Sequence, residues 1–175
     1  AIAAWVWAPG AVVTALLMAA AGILHLLRLA RWAGERSLSE PLLLVLHIAY
    51  AFLPLGAFAL AAAVLLPGEA GGAGGVAAAR ATAQHLWTAG AIGLMTLAVM
   101  TRATLGHTGH DLTAGPATVA IYLALVLAVL ARMLAGILPD LAGVLHLVAG
   151  LGWMLSFGGF ALVYGRLLLS PRPRG

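Results

Sequence analysis

Residues 41–66 read PLLLVLHIAYAFLPLGAFALAAAVLL, and the only ionisable side chain in that run is His47. A helix rises about 1.5 Å per residue, so about 20 apolar residues cross the hydrocarbon core of a bilayer. The run is long enough to do so. It lacks the period-2 alternation of a barrel strand, and lipid offers a backbone no partner but itself, which leaves a helix. Reading outward finds four more apolar runs: Ala1–Leu27 with one ionisable group, His25; Ala81–Thr101 with His85; Leu112–Ala131 with none; and Leu141–Gly165 with His146. The expected fold is therefore all-α, a polytopic transmembrane helical bundle. It forms a single domain over residues 1–175, with about five spans near 8–30, 41–66, 80–102, 115–138 and 141–168. A sixth segment arises if Pro9 and Gly10 split the first run rather than bend it.

The rest of the composition narrows the class. Hydrophobic residues make up 63% of the 175 and charged residues 8%, where a soluble domain carries about 25% charged. With no cysteine, a disulfide framework, a thiolate metal site and covalent c-type haem attachment are all excluded. The net charge is +4, from nine Arg and no Lys against five acidic residues. Cations this sparse make no continuous basic stripe, so the expected partner is the lipid bilayer and not nucleic acid.

The connections set the expected topology. Arg31–Glu40 is a charged loop in which Ser39 precedes Glu40 and Pro41 as a helix cap. Pro67–Gly75 is a flexible Gly-rich linker, Arg102–Gly115 is polar, and Pro139–Asp140 is a tight corner. If five helices alternate sides, Arg28, Arg31, Arg36, Arg102, Arg166, Arg172 and Arg174 share one face, with Arg80 and Arg132 toward the other. The positive-inside rule makes the first face cytoplasmic and the N-terminus external. The first run has no basic n-region and is expected to be a span, not a signal peptide.

Ionisable groups inside spans are costly, and they face a bundle interior or a cavity. By chain order they form two layers. His85, His146 and Arg132 lie near the external end; His25, His47, His107, His110 and Arg102 lie near the cytoplasmic end. Neutral imidazole ligates haem iron, copper and zinc; equally, a histidine near an interface bonds a neighbouring helix or water. Six histidines in so apolar a chain favour haem or metal. His85 is the first candidate, then His47 and His107, then His146 and His25. Arg132 either snorkels or binds an anion such as a haem propionate, and Arg102 is an anchor or an anion partner. On the third run His85, Thr88, Ile92, Thr96 and Val99 share one helical face, where the Thr hydroxyls would bond across helices or orient a ligand. Ala89 and Gly93 form a small-residue pair that admits another backbone, and Gly150 leaves space beside His146. Met100 is a minor soft-ligand candidate near His107. The Trp residues read mainly as interfacial belts. Nothing specifies a catalytic residue.

The segment from His85 to Gly109, above all MTLAVMTRATLGHTG (Met95–Gly109), resembles the NnrS family. Glu40–Tyr50 with Pro54-Leu-Gly, then Ala131-Arg132, and the closing Pro-Arg-Pro are further matches. The resemblance runs from about Arg28 onward, and His47, His85, Arg102, His107 and Arg132 occupy family positions. It implies a bacterial inner-membrane protein that carries haem and copper and acts in nitric oxide metabolism and nitrosative stress, often beside denitrification genes. Family members usually have Arg where this chain has His110. They are also about twice as long, so this chain resembles their C-terminal half, and an N-terminal half-protein or a homo-oligomer would complete a shared site. Two other readings remain at this point: a cytochrome b-like electron carrier serving quinone, and a non-catalytic scaffold or transporter.

Overall fold

The computed structural model describes residues 1–66 and 73–170. Arg172, Arg174, the closing Pro-Arg-Pro and most of the Gly-rich linker lie outside the described residues. The described chain is helical: α1 (Ile2–Trp7), α2 (Val12–Arg31), α3 (Pro41–Leu65), α4 (Ala73–His85), α5 (Leu94–His107), α6 (Pro116–Ile137) and α7 (Ala142–Leu169). An eight-residue π-helical segment, Leu86–Gly93, joins α4 to α5 without a break. Among the described residues five helices are long and apolar enough to cross a membrane: Val12–Arg31, Pro41–Leu65, Arg80–His107, Pro116–Ile137 and Pro139–Leu169. The first run does split at Pro9, but α1 has only six residues and adds no span. It is tied to the start of α2, where Thr14 Oγ1 donates to the Ala8 carbonyl at 2.8 Å.

The third span is the hub, packing against α3, α6 and α7, while α2 rests mainly on α3 and α7 mainly on α6. Its seam with α3 is cut by two reciprocal insertions. The Phe52 ring lies where a Cβ on Gly90 would sit, 2.6 Å from its Cγ, and the Trp87 ring fills the corresponding space at Gly56. Trp87 Nε1 also donates to the Leu53 carbonyl at 2.9 Å, beside Pro54, whose missing N–H weakens the α3 ladder at that level. Trp153 on α7 approaches Gly93, 3.0 Å from where a Cβ would be. Trp87 and Trp153 thus insert into helix seams, and Gly93 admits a ring instead of a backbone.

Two contacts fix the ends of the bundle. Ser39–Leu42 and Leu112–Ala114 line one small cavity of about 150 Å³, so the first and third loops share an end. At the opposite end Gly136 of α6 lies against Thr82 of α4. Arg28, Arg31, Arg36, Arg102 and Arg166 gather toward the first end, as the alternation of spans requires. The expected cap at Ser39 is not formed. Glu40 occupies the N-cap of α3, no side chain caps it, and Pro41 opens the helix. Pro needs no partner for an N–H it lacks, which lowers the demand for a cap.

Candidate functional site

At the end away from the Arg cluster, three spans bring His85, Arg132 and His146 to similar depth. Arg132 Nη1 donates to His146 Nε2 at 3.0 Å. A guanidinium only donates, so His146 Nε2 accepts, and the imidazole is neutral with its proton on Nδ1. His85 Nδ1 lies 2.6 Å from the Ala81 carbonyl one turn back. A carbonyl only accepts, so Nδ1 carries a proton, and in the neutral imidazole the lone pair is the one on Nε2. His85 and Arg132 face one cavity of about 160 Å³, walled by Ala89, Ala128, Val129, Ala149 and Trp153. Gly150, beside His146, meets nothing within 4 Å where a Cβ would be.

At the Arg-rich end a second cluster forms around Trp32 and Tyr50. His47 Nδ1 donates to the Leu43 carbonyl at 3.0 Å, the same tautomer as His85. Trp32 stands edge-on to the His47 ring at 6.0 Å. The loop backbone closes over that ring at Gly34, where a Cβ would come within 2.9 Å of it. His25 Nδ1 is 2.8 Å from the Tyr50 hydroxyl, and Tyr50 packs on Trp32 at 4.6 Å. The Arg28 guanidinium lies 5.3 Å from the Trp32 ring centre and 5.9 Å from that of Tyr50. His25 also borders an apolar cleft of about 430 Å³, walled by Met18, Ala21, Leu53, Ala57, Trp87 and Ile92 together with Ala1 and Ile2 at the chain's start.

His107 is exposed at the end of α5, and His110, also exposed, pairs with Thr108 Oγ1 at 2.9 Å. Arg102 is half-buried, and Met100 packs against the apolar core. Among the described residues no three His or carboxylate groups stand close enough to hold a metal ion together.

The third-span face of Thr88, Ile92, Thr96 and Val99 is exposed, with Ile92 61% accessible. Thr88 Oγ1 bonds the Gln84 carbonyl of its own helix, so it reaches no neighbouring span. The hydroxyls that do cross between helices lie elsewhere. Thr101 pairs with Tyr122, Thr118 with Tyr164 at 2.6 Å, and Ser156 donates to the Ile121 carbonyl at 2.9 Å. None of these hydroxyls carries an ionisable signal at the sequence level, whereas Trp32 and Tyr50, expected as interfacial residues, here frame the His25–His47 cluster. The available signal was hydroxyls recurring inside otherwise apolar runs.

The family model described as NnrS protein matches residues 1–172, which extends the likeness through the first span. No curated protein matches the chain, and no solved structure does.

Proposed function

The chain belongs to the NnrS family, and from that premise we propose that it is a membrane protein of the nitric oxide and nitrosative stress response, binding haem and, as a second metal, copper through intramembrane histidines. The observation that carries this reading is the shared state of His85 and His47. Each donates Nδ1–H to a carbonyl on its own helix, so that the neutral ring would present its lone pair at Nε2. Metal-ligating histidines are commonly oriented by such a bond.

The volumes separate the candidate positions. A cofactor pocket is roughly 300–1,000 Å³. The cleft beside His25, about 430 Å³, falls in that range. The cavity at His85, about 160 Å³, takes only an ion, a small ligand or the edge of a larger group. Haem on His85 would extend beyond this chain's walls and need a cover from an N-terminal half-protein or a second copy. Arg132 favours a propionate or another anion in that cavity. When bound, haem would supply an iron that takes nitric oxide; the chain would supply imidazole donors, the Arg132 guanidinium for a carboxylate, and apolar walls that exclude water. In this reading His107 and Arg102 serve at the cytoplasmic edge, and the membrane is the bacterial inner membrane with the Arg-rich end inside.

Absorption spectroscopy and metal analysis of chain purified from haem-replete cells test the proposal. The expected result is a Soret band that shifts with nitric oxide, with haem or copper lost in His25→Ala, His47→Ala or His85→Ala. Wild-type chain that holds neither haem nor copper, both alone and when purified together with an N-terminal half-protein, overturns it, and a haem indifferent to nitric oxide overturns the nitric oxide role.

A further inference from the structure

Where α2 leaves the bundle at the Arg-rich end, Leu24, Leu27, Arg28, Arg31 and Trp32 line an open cavity of about 670 Å³. The first four follow the i, i+3, i+4, i+7 spacing of one helical face. That face is apolar toward the middle of the span, with Leu24 67% and Leu27 59% accessible, and cationic at its end. The Arg28 guanidinium is held over Trp32 and Tyr50, which fixes its plane at low entropic cost. Neither nearby carboxylate, Glu35 nor Glu40, lines the cavity, so among the described residues the two guanidiniums have no counter-charge within it. His25 is turned aside to Tyr50 and is not part of this wall.

We propose that this cavity is a binding site for an anionic phospholipid, the phosphate headgroup on Arg28 and Arg31 and the acyl chain along Leu24 and Leu27. Two guanidiniums at the depth where an interfacial Trp sits match the level of a lipid phosphate. The exposed leucines below them give the tail an apolar track that a free anion would not use. Arg presents the phosphate with paired N–H donors in one plane. The inference stands apart from haem, since it uses no histidine.

Native mass spectrometry of the purified chain, titrated with phosphatidylglycerol and with phosphatidylethanolamine, tests it. Wild type is expected to retain phosphatidylglycerol in preference. An Arg28→Gln/Arg31→Gln pair should weaken that retention about thirtyfold, and Arg31→Gln alone, which leaves the aromatic stack intact, about fivefold. Arg36→Gln/Arg166→Gln removes the same charge from the same end and should change little. Wild-type retention in the Arg28/Arg31 pair and in Arg31→Gln overturns the site. An equal loss in the Arg36/Arg166 pair also overturns it, because the attraction is then diffuse. Displacement of the lipid by soluble glycerophosphate at matching concentration overturns the lipid assignment, since the acyl track then contributes nothing.

Discussion

The histidines show how a single hydrogen bond decides what an imidazole can do. His85 and His47 spend Nδ1 on a carbonyl and keep Nε2, whereas His146 has its Nε2 engaged by Arg132. Ligation by His146 through Nε2 therefore requires that Arg132 move. Glycine is as position-dependent. A methyl at Gly56 meets the Trp87 ring, whereas one at Gly150 meets nothing within 4 Å. Overpacking a close-fitted seam costs about 1–3 kcal/mol, and Ala in an open helix position is favoured over Gly by about 1 kcal/mol. Gly56→Ala is thus expected to lower the thermal unfolding midpoint in detergent and Gly150→Ala to hold or raise it. Equal midpoints for the two variants would show that the Trp87 insertion does not anchor the seam. Positions of costly groups were legible in the sequence because burial of an ionisable group is expensive wherever it occurs. Which nitrogen stays free was not, because that depends on the carbonyl one turn away and on what faces the ring.

Among the elements, the third span departs most from expectation. Thr88, Ile92, Thr96 and Val99 do share one face by their exposure, but that face points away from the core. A run that is apolar all round carries no amphipathic signal to say which side is inward. The π-helical segment is equally hidden: Leu86–Gly93 is rich in Ala and Gly, a composition that an α-helix inside a span carries as well. What distinguishes it is tertiary, the Phe52 ring at Gly90 and the Trp87 ring at Gly56. Such segments often mark functional positions, and this one begins directly after His85. The neighbouring hydroxyl pairs hold α5, α6 and α7 together. Thr118 and Tyr164 join the start of α6 to the end of α7. Interhelical bonds of this kind in membranes average about 0.6 and reach about 1.7 kcal/mol. A double-mutant cycle of Thr118→Val and Tyr164→Phe should return a coupling in that range from unfolding in mixed micelles. Strict additivity would mean that the hydroxyls pack without holding the helices.

For the whole molecule, the apolar run lengths already contained five spans, and the contacts between loops supply the ends. The shared cavity of Ser39–Leu42 with Leu112–Ala114 puts the first and third loops together, and five of the described Arg residues lie toward that end. The two-layer grouping also follows from chain order, because alternating spans must return late and early helix positions to the same depth. Its members divide more finely than order could tell. His25 and His47 are linked by Trp32 and Tyr50, while His107 at the end of α5 and His110 on the loop after it stay exposed. The sidedness proposed from the Arg distribution has a direct test, since the chain holds no cysteine and any introduced thiol is the only one. Single cysteines at Ser37 and Gly109 should resist a membrane-impermeant maleimide in intact cells and react after lysis. One at Asp140, in the corner between α6 and α7, should react before lysis. The reverse pattern would invert the topology, and labelling of Ser37 and Gly109 from opposite sides would break the shared end on which both histidine layers depend.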